Sequence, residues 1–207
     1  MSSKKRKYEL RIRAERQRET RERIVSATVG LHQERGPART TIAEVARRAG
    51  VERLTVYNNF PTEGELFAAC QGHYFAAHPP PDPAPAFALT DPAQRMHTVL
   101  SGLYPWYREC ELMIGNSLRD RAALPALHAL LSQTVDVQLA TLADALAAGW
   151  SRRRHAEVRL RAAVAVALDF WTWQRLTSEG LNDEAAAQLM GDLVSCEANR
   201  GSPSGTG

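Results

Sequence analysis

The stretch from Thr41 to Thr62 constrains this chain more than any other, because two short helices are punctuated there within about twenty residues. Thr41-Ile42-Ala43-Glu44 has the spacing of a capping box. The Thr41 hydroxyl is placed to accept from the Glu44 N–H while the Glu44 carboxylate returns to the Thr41 N–H. Ile42, Val45, Ala46 and Ala49 share one face of the helix that follows, and Gly50 ends it. A second helix is predicted from about Arg53 to Asn59, where Phe60-Pro61-Thr62 breaks the chain. Thr62 then caps a longer helix to about His78, with Leu66, Cys70, Tyr74 and Ala77 on one face.

The flanks are helical too. Residues 1–12 read as a flexible basic arm that holds every lysine of the chain. From about Ala14, the residues Ile24, Ala27, Thr28 and Leu31 recur at helical spacing until Gly36-Pro37 stops the helix. Residues 79–92 contain six of the eleven prolines and read as a stiff connector. Beyond it no strand-like alternation occurs. Helices are predicted near 92–110, 111–121, 124–149, 154–179 and 183–197. Pro105 is a kink site and Asn182 an N-cap. The fold class is therefore all-α. The expected domains are a helix-turn-helix domain over 13–78, a larger helical domain over 93–198 and a disordered tail over 199–207.

The net charge of +3 hides an asymmetry. Residues 1–77 hold 15 Lys/Arg against 9 Asp/Glu, while residues 78–207 hold 11 against 14. A basic first third fits a polyanion partner, and a solvated basic helix is the alternative. Two short helices joined by Ala49-Gly50-Val51 are the plan of a helix-turn-helix, whose second helix enters the major groove.

Residues 21–66 resemble the DNA-binding domain of the TetR family of bacterial transcriptional regulators. The resemblance is carried by Arg23-Ile24-Val25, Ala27-Thr28, Glu34-x-Gly36, Thr40-Thr41-Ile42, Glu44-Val45-Ala46, Ala49-Gly50-Val51, Thr55-x-Tyr57, Phe60 and Leu66. Thr40 and Thr41, at a helix N-terminus, suit a phosphate. Arg53, Leu54 and Thr55 open the second helix and reach for base edges, Arg53 as a bidentate guanine ligand and Leu54 against a thymine methyl. Asn58 lies on the same helix. The resemblance gives Tyr57 and Asn59 contacts to the DNA backbone. Val56 and Phe60 are expected to pack inward. Three positions depart from the family pattern. Glu52 replaces a capping Ser, Glu63 replaces a phosphate-binding Lys, and His32 replaces Phe. The basic N-terminal arm is a source of compensating phosphate or minor-groove contacts.

The resemblance also implies a homodimer, joined through its last two helices, that reads a palindromic operator, and a small-molecule inducer within the body. Ala162 to Leu168 is apolar all round, and Ala186, Leu189, Met190, Leu193 and Val194 stripe the final helix. The expected pocket residues are His97, Tyr104, Trp106, Tyr107, Asn116, Gln138, Asp169, Phe170 and Trp173. An acid following apolar residues needs a partner, so Asp169 is expected to pair with Arg119 or Arg121. An internal salt bridge and an aromatic core are the structural alternatives at these positions.

Other function classes find little support. No nucleophile elbow, phosphate-binding loop, zinc-protease motif or dinucleotide fingerprint is present. Neither the six histidines nor Cys70, Cys110 and Cys196 have metal-ligand spacing. No cofactor, metal, enzymatic activity or membrane span is expected, and the bacterial cytoplasm, with nucleoid association when DNA-bound, fits. The function expected is a repressor released by its inducer through a population shift. Two alternatives remain open: a DNA-binding regulator with no small-molecule inducer, constitutive or controlled by a protein partner, and an α-helical small-molecule-binding protein or enzyme.

Overall fold

The computed structural model describes residues 3–150 and 154–200, with side chains described over 7–150 and 157–200. Every regular element among them is helical. In chain order these are α1 (Ser3–Arg35), α2 (Ile42–Ala49), α3 (Arg53–Asn59), α4 (Glu63–Ala77), α5 (Ala84–Phe87), α6 (Pro92–Glu109), α7 (Glu111–Asp120), α8 (Pro125–Gln133), α9 (Val135–Ala147), α10 (Arg154–Leu168), α11 (Phe170–Ser178) and α12 (Asp183–Asn199). Short 3-10 turns follow α1 and α7. None of the helices searched is long and apolar enough to cross a membrane.

The chain divides into two compact units. The first joins residues 1–79 to 115–130, and the second joins 80–114 to 131–207. The sequence reading gave the whole of 93–198 to one body. The contacts instead assign 115–130 to the N-terminal unit.

In the first unit α1 packs on α2 and α4, and α2 on α3. Ile24, Leu31, Val45, Val56, Phe60, Leu66, Cys70 and Tyr74 form its core. Burial pushes the Cys70 thiol up to about 12. The punctuation read from sequence is present. Thr41 Oγ1 accepts from the Glu44 N–H at 3.3 Å, and Glu44 Oε2 accepts from the Thr41 N–H at 3.1 Å. Gly50 takes a left-handed φ of 66°, and Thr62 accepts from the Glu65 N–H at 3.2 Å.

Residues 3–12, expected as a flexible arm, are instead the first turns of α1. Lys, Arg, Glu, Gln and Ala favour helix without any apolar periodicity, and no Gly or Pro interrupts them. Arg18 also lies 3.7 Å from both Glu15 and Glu22, at helical spacing. At the other end α12 continues to Asn199, within the expected tail, and residues 201–207 lie outside the described residues.

In the second unit α12 packs against α6 and α10, and α10 against α9. Two predicted helices are each split. The span 124–149 breaks at Thr134 into α8 and α9. The span 154–179 breaks at Asp169, whose extended backbone (φ −76°, ψ 135°) ends α10 and starts α11. Asp169 Oδ2 accepts from the Thr172 N–H at 2.9 Å, so this acid is satisfied as an N-cap. The expected ion pair with Arg119 or Arg121 is not what holds it. Asn182 caps α12 as expected, accepting from the Ala185 N–H at 2.8 Å.

Candidate nucleic-acid interface

α3 is set from behind. Val56 is fully buried and Phe60 nearly so, which fixes the rotation of this seven-residue helix. Arg53, Leu54, Tyr57 and Asn58 consequently face outward. Leu54 is 66% exposed and Tyr57 52%. Two large apolar side chains left in water at i and i+3 gain nothing from the fold of the first unit. Thr55 and Asn59 are half-buried, and the Asn59 side-chain amide donates back to the Thr55 carbonyl at 2.8 Å. Glu52 makes no capping hydrogen bond, as its side chain predicted.

The two threonines before α2 are already engaged. Thr40 Oγ1 donates to the Gly36 carbonyl at 2.9 Å. The Thr41 hydroxyl serves the capping box and also donates to Glu44 Oε2 at 3.0 Å. Glu44 is further paired with Arg35. Hydrogen bonds from the Thr41 backbone and hydroxyl, together with Arg35, hold its carboxyl below the ordinary value.

Two arginines of α1, unremarked among the expected contacts, frame α3. The Arg21 guanidinium donates to the Asn59 carbonyl at 2.5 Å and lies 3.9 Å from the centroid of the Phe60 ring. Arg23 donates to the Ala49 carbonyl at 3.2 Å, at the turn between the two short helices. Arg23 stood in the family motif, whereas nothing in the sequence marked Arg21 apart from its charge.

A polar clasp closes the C-terminal end of α1. The Asn116 amide donates to the carbonyls of His32 and Gln33, both at 2.9 Å. Arg119 donates to the Arg35 carbonyl at 3.3 Å, and Asp120 accepts from the Ala38 N–H at 3.0 Å. Gly36 has a φ of 93°, and a Cβ there would collide with Arg119 and Asp120. Burial pushes the Asp120 carboxyl up, but Arg119, the Ala38 N–H and Arg39 outweigh it and leave it below the ordinary value. Burial drives the His32 imidazole down to about 4, against the pull of Asp120. His32, where Phe was the family expectation, packs tilted on Phe67 with centroids 5.7 Å apart.

Five of the nine expected pocket residues come together, as packed rings, and the other four stand outside that packing. Asn116 belongs to this clasp, Gln138 is exposed and Asp169 is a cap. Tyr104, Tyr107, Phe170 and Trp173 are core. Their rings pack with centroids 5.4 Å apart for both Tyr107–Phe170 and Phe170–Trp173, and Trp106 lies 5.7 Å from Tyr107. Tyr104 donates to the Ala167 carbonyl at 2.8 Å and Tyr107 to the Leu168 carbonyl at 2.7 Å. Trp173 Nε1 donates to Asp183 Oδ1 at 2.9 Å. Of the nine, His97 lines a groove. It is a depression of about 500 Å³ in the second unit, shared with Gln94, Gln188, Gly191, Asp192 and Ser195. No group of three or more His, Cys, Asp or Glu among the described residues is placed to hold a metal ion.

Residues 24–70 match the sequence profile of the bacterial regulatory proteins of the tetR family. This segment belongs to the TetR family. The TetR segment spans α2, α3 and the parts of α1 and α4 that pack on them. Solved structures extend the likeness in fold to most of the chain. A TetR-like transcriptional regulator from Rhodococcus sp. RHA1 is similar at 20% identity, covering 85% of this chain and 93% of that one, with a TM-score of 0.58. A TetR transcription regulator from Haloarcula marismortui ATCC 43049 is similar at 17% identity, covering 86% and 96%, with a TM-score of 0.55. The multidrug binding protein EbrR, complexed with imidazole, is similar at 22% identity, covering 84% and 88%, with a TM-score of 0.51. A comparison with curated protein sequences finds no match.

Proposed function

We propose that this chain is a transcriptional repressor that binds palindromic operator DNA as a homodimer and leaves it when a small molecule occupies the second unit. The observation that carries the DNA half is the outward face of α3. Arg53, Leu54, Tyr57 and Asn58 are presented together while Val56 and Phe60 hold the helix from behind. In the major groove, Arg53 is a guanine ligand and Leu54 a contact for a thymine methyl. Tyr57 meets the backbone, and exposed Asn58 takes the place expected of Asn59, whose amide is bonded to the Thr55 carbonyl. The dimer reading rests on an apolar face of the second unit, where Val158 and Val166 of α10 and Leu189 and Leu193 of α12 are exposed.

The test is selection from a random duplex library with the purified protein. A palindromic motif is expected, and Arg53→Ala with Tyr57→Ala should abolish its enrichment. Enrichment that survives both substitutions overturns the assignment of α3.

A second reading keeps the DNA half and omits the inducer. It is favoured by the aromatic cluster, whose rings and hydroxyls are spent on one another and on backbone carbonyls rather than on a cavity. The groove beside His97 and Asp192 supports the inducer reading. Operator affinity measured across a panel of small cationic and aromatic compounds separates the two. A compound that weakens binding in the protein and not in its Gly191→Leu variant supports the first reading.

A further inference from the structure

α1 extends far beyond anything it packs against. Residues 7–19 are all exposed except half-buried Ile12, and the first tertiary hydrogen bonds are those of Arg21 and Arg23. A stretch of helix that buries little and leaves Tyr8 and Leu10 more than half exposed is not explained by the core. We infer that the face of α1 carrying Lys7, Arg11 and Arg18 docks on the phosphate backbone of duplex DNA beside the major-groove site of α3. This rests on the DNA-binding reading above.

Three observations point there. The first is where the extension leaves the fold. Arg21 is fastened to Asn59, the last residue of α3, and Arg23 to Ala49 at the turn. Residues before Thr20 therefore emerge at the edge that presents α3.

The second is register. Lys7, Arg11, Ala14, Arg18 and Arg21 follow one another at alternating spacings of four and three residues. At about 100° per residue they form one stripe roughly 80° wide. No acid stands within it, although Glu15 and Glu22 flank one side and both lie 3.7 Å from Arg18. The stripe also ends on Arg21, the residue bonded to α3. From Lys7 to Arg18 the helix rises about 16 Å, the axial span of about five phosphates of one strand.

The third is charge at the rest of this edge. Glu52 and Glu63 stand at the starts of α3 and α4, so α1 adds to the positive charge that Arg53 supplies there.

The experiment compares two triple variants of the full chain that remove the same charge from opposite faces of one helix. Lys7→Gln/Arg11→Gln/Arg18→Gln strips the stripe, and Lys5→Gln/Arg13→Gln/Arg16→Gln strips the far side. Binding to a long random-sequence duplex is measured by fluorescence anisotropy across a salt series, with circular dichroism as the check on helix content. Loss of three phosphate contacts lowers the slope of log K against log salt by about 2.7 for the stripe variant. The far-side variant should lose less than a third of that. Equal losses would mean diffuse attraction without a docking face, and no loss from the stripe variant would mean no contact; either overturns the inference. Failure of the unmodified protein to bind duplex DNA overturns this inference together with the proposed function. Failure of the stripe alone leaves α3 untouched, because the Arg53 and Tyr57 substitutions report on motif enrichment rather than on salt slope.

Discussion

The guanidinium of Arg21 lies 3.9 Å from the centroid of the Phe60 ring and donates to the carbonyl of the preceding residue, Asn59. One side chain thus holds both the last turn of α3 and the aromatic residue that seats it. A stacked cation and a charge-assisted hydrogen bond at an exposed site contribute about 1 kcal/mol together. Arg21→Ala should lower unfolding stability by that amount in urea titrations. Arg21→Lys, which keeps the charge but not the flat guanidinium, should recover less than half. Full recovery by Lys would show that charge alone matters there.

His32 makes stability depend on pH in a predictable direction. Its folded value, about 4, lies below its ordinary value of 6.5, so the unfolded chain binds the proton more readily. Stability is therefore complete above the ordinary value and falls as pH drops through the interval down to the folded value. The loss near pH 5 is about 2 kcal/mol. His32→Phe should flatten this part of the curve, measured as urea midpoints at successive pH values. An unchanged slope in the variant would assign the pH dependence to other groups.

Gly36 joins a positive φ to a site with no room for a side chain, because Arg119 and Asp120 close over it. Gly36→Ala should cost about 2 kcal/mol through backbone strain and displacement of the clasp. Denaturant unfolding measures it. A neutral result would mean that the clasp opens freely.

The role of Asp169 as a cap is separable from a role as a charge. Asn caps a helix as well as Asp does, whereas Ala cannot. Asp169→Asn should leave the thermal midpoint nearly unchanged, and Asp169→Ala should cost about 1 kcal/mol. Similar losses from both substitutions would restore the ion-pair account.

Leu193 and Val166 test the dimer. A charge placed on an apolar contact face opposes association while remaining solvated in the separated chain. Leu193→Glu and Val166→Glu should each shift sedimentation toward the monomer without loss of helix content. Unaltered sedimentation of a dimer would place the interface elsewhere.

What the sequence made legible was local. The boundaries of α2, α3 and α4 were readable because Thr41, Glu44, Gly50, Pro61 and Thr62 act on neighbours within a few residues. The start of α1 was misread because charged helix formers leave no periodic apolar trace. Asp169 was read as a buried charge in search of a cation, since a sequence does not distinguish an acid inside a helix from one that begins a new helix. The clasp of Asn116, Arg119 and Asp120 on the end of α1 joins residues more than eighty positions apart. No spacing rule reports such a contact. Tyr104 and Tyr107 are expected in sequence as pocket residues, and the destination of their hydroxyls depends on where α10 ends, which no local signal reports.

That destination matters for how the second unit can move. Tyr104 and Tyr107, one turn apart on α6, grip the consecutive carbonyls of Ala167 and Leu168, and Asp169 immediately restarts the chain as α11. The corner is thus held from both sides, and Asp169 is the single extended residue between the two helices. A displacement of α6 cannot dissipate there. It must be carried onward by α10 and α11 as whole levers.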